Sequence, residues 1–239
     1  MGPILKFEGI SKSFEQKKIL NEISFEIPKG KIVAFLGQNG AGKTTTLKIA
    51  SALISADEGE VLLENTSISA SKKEVTFIPD YPFLYEELTG QEYIKFALDI
   101  FNLKYSKEKI TYLINKYDLT SEVDKKISNL SLGNKKKLSL LTSLLNNPKL
   151  LLLDEFISGI DPINMKKIKT ILKDYVSKGN SILLSTHQLE VAQGFCDSII
   201  LINNGEIIRK DINVSSILEK NTNLEDYFMF TLAGGEDKS

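Results

Sequence analysis

The chain has 239 residues, with 30 lysines and arginines against 31 acids, and a formal net charge of −1. That length can bury a sizeable core, as one large domain or as a core with a subdomain, and the charge balance argues against a whole-protein nucleic-acid binder, which carries a basic excess. The single cysteine, Cys196, excludes an internal disulfide framework and fits a reducing compartment, and its plain reading is a small buried apolar residue.

The N-terminal MGPILKFEGISKSF lacks the apolar stretch of a signal peptide. Nowhere do about 18 apolar residues run uninterrupted, so no segment is expected to span a bilayer. The expectation is a soluble, cytoplasmic protein whose membrane role, if it has one, comes through a partner. Residues 4–36 alternate apolar and polar positions, and ILKFEGI, ILNEISFEI and KIVAFLG read as strands. A Gly-rich turn follows, then a helix, TTLKIASALI, and a hairpin-like GEVLLENTSIS.

From about Leu84 to Asn147 the period becomes helical, with Tyr93, Phe96, Ala97, Ile100 and Phe101 on one side of a helix. This stretch is a candidate helical subdomain. Strand and helix alternate again from Leu150: LLLLDEF, a helix around Asn164 to Ser177, SILLST, a helix after His187, and the hairpin SIILINNGEII turned by Asn204-Gly205. Solid apolar runs such as LLLL and SILLS predict strands buried on both faces, in a mostly parallel sheet covered by helices. The tail AGGEDKS reads as disordered.

Gly37 to Thr44, GQNGAGKT, matches G-x-x-x-x-G-K-[ST] after one predicted strand and before a helix, as a phosphate-binding loop requires. Gly37, Gly40 and Gly42 let successive N–H groups point into one concavity, and the helix N-terminus adds partial positive charge. Lys43 is placed to meet the β- and γ-phosphates, and the Thr44 hydroxyl to ligate Mg²⁺. Gln38, Asn39, Ala41 and Thr45 complete the candidate nucleotide contacts. At PKLLLLDEF a buried strand delivers Asp154 to Mg²⁺, and Glu155 suits the general base that polarises an attacking water. His187, the sole histidine, follows another strand end on the nucleotide side.

Together these residues resemble the ATP-binding subunits of ABC transporters over nearly the whole chain. The motif order is Gly37–Thr44, FIPDYPFLYEELTG, LSLGN, LLLLDE, SGID and STH. The resemblance implies an α/β P-loop NTPase with a mostly parallel core sheet, an N-terminal antiparallel β subdomain and an inserted α-helical subdomain at about 84–147. It implies one domain over residues 1–232, with 233–239 as the tail. It further implies that Phe14 stacks on adenine, that His187 contacts the γ-phosphate, and that Asp161 is the D-loop acid communicating between two nucleotide sites.

Three departures from the family pattern stand out. Asp80 replaces the Q-loop glutamine, and a carboxylate there can still reach Mg²⁺ or order water. Phe156-Ile157 replaces Pro-Thr after the glutamate. LSLGN replaces LSGGQ, the signature that caps the ATP of a facing subunit, but keeps Ser131 and Gly133, while Asn134 retains an amide head. Lys135, Lys136 and Lys137 are either a solvated charged face or cations close to a triphosphate.

Because a signature acts in trans, a second ATPase subunit is expected, the same chain or a related one. A membrane-spanning subunit is expected to dock near Asp80–Tyr85, where Tyr81, Phe83, Leu84 and Tyr85 divide between core and interface. PDYPFLYEELTG, DEFISGIDP and FCDSIILINNGEI look most like exporter ATPases, with the Ecs type near. The expected protein is an exporter ATPase using ATP and Mg²⁺, peripheral at the inner face of the cell membrane, with no nucleic-acid partner. The alternatives are a soluble relative acting on nucleic acid or the ribosome, and a regulatory ATP-binding subunit with little turnover.

Overall fold

The structure, a computed structural model, describes residues 2–219 and 224–232. The expected disorder of 233–239 lies outside the described residues. Two sheets share one chain. The first is antiparallel, in the order β2-β1-β4-β5, from β1 (Leu5–Phe14), β2 (Lys17–Ile27), β4 (Glu58–Leu63) and β5 (Thr66–Ser67). The second runs β10-β9-β3-β8-β7-β6, from β3 (Ile32–Leu36), β6 (Val75–Ile78), β7 (Leu150–Asp154), β8 (Ser181–Thr186), β9 (Ser198–Asn203) and β10 (Glu206–Asn213). It is parallel from β6 to β9, and β10 closes the edge antiparallel.

The solid apolar runs have the expected cause. Val33, Phe35, Leu152, Leu183 and Ile200 face the antiparallel sheet, while Ala34, Leu36, Leu151, Leu153 and Leu184 face helices. Alternate side chains of one strand thus serve two cores. Phe7, Phe25 and Phe35 bridge the sheets, with ring centroids 4.3 and 5.3 Å apart. The cores are completed by α1 (Lys43–Ala50), α5 (Pro162–Ser177) and α6 (Leu189–Phe195), with α7 (Val214–Glu219) and α8 (Leu224–Leu232) at the C-terminal end. The helix after the cradle is shorter than TTLKIASALI suggests: it stops at Ala50, and Ala52 has φ 53°.

Between β6 and β7 the chain builds α2 (Gly90–Ile100), α3 (Lys107–Lys116) and α4 (Leu132–Ser143). Thr89 and Glu92 form a capping box on α2, and Ser106 caps α3. The buried face of α2 is Gly90, Ile94, Ala97 and Leu98, which corrects the predicted stripe. Ile100 and Phe101 are exposed, and Tyr93 and Phe96 make a half-buried aromatic group with Tyr85. The true face has helical spacing too, and the larger aromatics outweighed it in the sequence reading.

Asn204 (φ 47°) and Gly205 (φ 77°) turn the β9–β10 hairpin as predicted. Its tip reaches back to the start of the chain's nucleotide motif: the Gly205 amide donates to the Ala41 carbonyl at 3.1 Å, and the Gly205 carbonyl accepts from the Asn21 amide at 2.9 Å. In the parallel sheet Leu36 is in register with Thr186, and Asp154 with Ser185. The residues following β3, β7 and β8 therefore emerge along one carboxyl edge, where open α/β sheets place their ligands.

Candidate functional site

Residues 37–42 turn from β3 into α1 with Gly40 at φ 82° and Gly42 at φ 107°. Space as well as φ demands glycine here. A Cβ on Gly42 would lie 2.6 Å from Leu20 Cδ2, and one on Gly37 2.5 Å from the Ile202 carbonyl oxygen. No side chain caps the N-terminus of α1, so its first amides are free for an anion. Gln38, Asn39 and Gly40 form the exposed rim, Ala41 is buried beneath it, and Thr45 is half-buried. The Lys43 ammonium, 6% exposed, donates to the Gly37 and Gln38 carbonyls at 2.7 and 3.1 Å.

Next to the cradle, Thr44 Oγ1 donates to Asp154 Oδ2 at 2.8 Å, and Ser185 Oγ donates to Asp154 Oδ1 at 2.5 Å. Asp154 is buried and held on both oxygens. Glu155 follows with φ 46°, a left-handed conformation that costs a non-glycine residue roughly 1–2 kcal/mol. The turn aims its carboxylate back at the cradle. Glu155 Oε2 lies 3.0 Å from His187 Nδ1 and accepts from Ser158 Oγ at 3.3 Å. Oε1 is buried with no hydrogen bond, and its neighbour is the Lys43 ammonium at 3.4 Å. That contact is electrostatic, without the alignment of a hydrogen bond. Lys43, Thr44, Asp154, Glu155 and His187 are thus brought together.

The other candidates stand apart from that group. Phe14 is 48% exposed at the end of β1, with the Lys12 ammonium 5.4 Å from its ring centroid. Asp80 is exposed, and its carboxylate contacts the Lys136 ammonium at 3.4 Å. Ser131 is exposed and caps α4, accepting from the Asn134 amide at 3.3 Å. Asp161 caps α5 by accepting from the amides of Ile163 and Asn164 at 3.1 and 3.0 Å, and from Asn164 Nδ2 at 2.6 Å. Asn164 also fills the space beside Gly133, where a Cβ would lie 2.6 Å from its Nδ2. The Ser131–Asn134 turn and the Asp161 turn are therefore packed on one asparagine. Leu132 is half-buried in contact range of Gly159.

The lysine triplet is neither a solvated face nor a phosphate site. Lys135, Lys136 and Lys137 are buried, at 9, 1 and 2% exposure, and each is paired as buried charge requires. Lys135 reaches Glu86 at 2.7 Å, Lys137 the Asp118 carbonyl at 2.8 Å, and Lys136 the carbonyls of Phe156 and Ser158, both at 2.8 Å. Successive helix positions point about 100° apart, so three adjacent lysines reach three different segments. The aromatic stretch after Asp80 is exposed where a core was the alternative: Tyr81 at 56%, Phe83 at 85% and Tyr85 at 60%. Cys196 is buried, and burial pushes its thiol up to about 12.

Sequence reasoning did not single out Ser185, Ser158 or Asn164. Ser185 had a signal, a hydroxyl inside the apolar run SILLST of a central strand. Ser158 and Asn164 each lie three residues beyond a candidate acid, within one turn of it.

A phosphate cradle at one strand end, paired acids at the next and a histidine at a third define a P-loop nucleotide hydrolase. The family profile described as ABC transporter matches residues 20–158. The chain is 34% identical over 219 residues to the lantibiotic transport ATP-binding protein SrtF of Streptococcus pyogenes, covering 91% of this chain and 95% of that one. It is 32% identical over 211 residues to the SkfA peptide export ATP-binding protein SkfE of Bacillus subtilis, covering 86% and 88%. A solved ATP binding subunit of an ABC transporter matches with TM-score 0.85 and 26% identity, over 96% of this chain and 99% of that one. The chain belongs to the ABC transporter family, as an ATP-binding subunit that hydrolyses ATP. Among the described residues no helix is long and apolar enough to cross a membrane.

Proposed function

We propose that this chain is the ATP-hydrolysing motor of an exporter, closing as a dimer around two MgATP and driving a separate membrane subunit. The observation that carries the reading is Glu155 Oε1: a buried acceptor without a hydrogen bond, 3.4 Å from Lys43, on a carboxylate backed by His187 at 3.0 Å. Such an oxygen is placed to take a proton from water at the cradle mouth.

Residues Gly37 to Thr45 wrap the triphosphate with backbone amides, and Lys43 trades its two carbonyl contacts for phosphate oxygens. Phe14, exposed at a strand end, stacks on adenine. The hard oxygens of Thr44 and Asp154, 2.8 Å apart, fit Mg²⁺, which when bound neutralises charge on the phosphates. Asp80, exposed beside Lys136, supplies a further carboxylate that reaches the ion or orders a water. Glu155 orients and deprotonates the attacking water. His187, with Nδ1 on Glu155, turns its other ring nitrogen to the γ-phosphate and fixes the carboxylate's direction.

Ser131, which is exposed, acts with Gly133–Asn134 at the N-terminus of α4 to cap the γ-phosphate of a second subunit, while Asp161 reports between the two sites. The membrane subunit docks on Tyr81, Phe83 and Tyr85, and the motor works at the cytoplasmic face of the membrane. The names of the lantibiotic and peptide-export relatives support the export direction. The residues described, 2–219 and 224–232, form one domain in which residues about 84–147 are the helical insertion.

Light scattering of purified Glu155→Gln protein with and without MgATP tests this. An ATP-dependent shift from monomer to dimer that Ser131→Arg abolishes is the expected result. A nucleotide-bound monomer at every concentration would overturn the claim that this signature clamps a second copy.

A further inference from the structure

We propose that Lys136 is a positioning residue for ATP hydrolysis: from the signature helix α4 its ammonium pins the turn that follows Glu155 and so fixes where the Glu155 carboxylate points. The proposal rests on the reading of Glu155 as the base.

Lys136 is 1% exposed, on a helix whose neighbouring lysines leave in other directions. Its ammonium donates to the Phe156 and Ser158 carbonyls, both at 2.8 Å, lies 3.4 Å from Asp80 Oδ1 and sits 5.5 Å from the Phe156 ring centroid. The two carbonyls belong to a turn closed by the Ser158 amide donating to the Glu155 carbonyl at 3.0 Å. The same Ser158 donates its hydroxyl to Glu155 Oε2. Glu155, in its left-handed conformation, is therefore held in front by its amide donating to Ser185 Oγ at 3.1 Å and by His187 on its carboxylate, and behind by a turn whose carbonyls Lys136 gathers. Burial pulls the Lys136 pKa below the ordinary lysine value, and the acids Asp80 and Glu155 oppose that pull.

A purely structural staple would lie anywhere in the core. This one joins three segments with separate duties: the helix behind Ser131, the segment just beyond β6 at Asp80 and the turn after Glu155. A small displacement of a catalytic group costs far more in rate than in binding. The signature is thereby linked within one subunit to that subunit's own base, besides any action on a partner's nucleotide.

The test uses Lys136→Met, Lys136→Gln and Ser158→Ala with Glu155→Gln as reference. Two readings are taken: the Hε1 NMR signal of His187, the chain's only histidine, at fixed pH, and kcat and KM for MgATP. Lys136→Met should move the His187 signal and lower kcat about tenfold or more, with KM within about threefold. Lys136→Gln, which keeps an amide donor, should recover most of the loss. Ser158→Ala should lower kcat in the parent but add little to Lys136→Met.

An unmoved His187 signal with kcat within about twofold of the parent would overturn the proposal. If Lys136→Met does not fold, Lys136→Gln and Ser158→Ala take the same readings, and two unmoved signals overturn it equally. A Glu155→Gln protein with full turnover would instead sink the reading of the base, and a dead Glu155→Gln beside a fully active Lys136→Met would sink only the role of Lys136.

Discussion

Gly133→Ala sets a single methyl group against the joint between signature and D-loop. The new Cβ would lie 2.6, 2.9 and 3.0 Å from Asn164 Nδ2, Cγ and Cβ. Asn164 cannot simply swing aside, because its amide donates to Asp161 at 2.6 Å while Asp161 caps α5. Overpacking of this kind costs about 1–3 kcal/mol, which lowers the melting temperature by about 2–12 °C in a chain of this size. Asn164→Ala alone loses one hydrogen bond, about 0.5–1.5 kcal/mol, but removes the two closest contacts. The double variant should therefore be more stable than the sum of the singles by about 1 kcal/mol. Melting curves of the four proteins without nucleotide decide it. Effects that add within about 0.5 kcal/mol would refute the claim that Asn164 is what makes glycine obligatory at residue 133.

Gly42→Ala, at φ 107° with its Cβ 2.6 Å from Leu20 Cδ2, should abolish binding of a fluorescent ATP analogue; retained binding would show that the cradle tolerates a side chain. Leu152→Ala, in a residue at 0% exposure, should cost about 2–5 kcal/mol in urea unfolding. Phe83→Ser should change stability by less than about 0.5 kcal/mol while weakening capture of the chain by the membrane subunit proposed to dock there, and intact capture would refute that docking surface. Because the Cys196 thiol is pushed up to about 12, it stays protonated at pH 8, and its thiolate fraction there is about 1,000-fold below that of an ordinary thiol. A thiol-disulfide reagent should therefore label native protein at least about 100-fold more slowly than unfolded protein.

The cradle was legible because its chemistry needs glycines at fixed spacing, and the strand before it and helix after it confirm the context locally. Asp154 and Glu155 were legible for the same reason, as acids at the end of a fully apolar strand. The lysine triplet was not. Its environment is made by Glu86, Asp118 and the turn at 156–158, all distant in sequence, and a run of three charges carries no periodicity to say which way it faces. The pairing of Asp80 with the buried Lys136 was hidden by the same gap. The α2 face went wrong by size, with large half-buried aromatics outweighing smaller, fully buried residues. Ser185 fell between two readings, a polar residue in an apolar strand that makes sense only beside the neighbouring strand's Asp154.

The hairpin tip that bonds to Ala41 and Asn21 has a consequence for how the chain is made. The nucleotide motif leaves the ribosome early, with its strand β3. Both neighbours of that strand, β8 and β9, and the Gly205 amide behind the cradle, are synthesised much later. Until then the loop packs only on β2, through Leu20 beside Gly42, and lacks the strands on either side of β3. A nascent chain therefore completes the cradle only once the β9–β10 hairpin has emerged, and a message truncated within that hairpin yields a polypeptide that carries the whole motif without the Gly205 contact behind it.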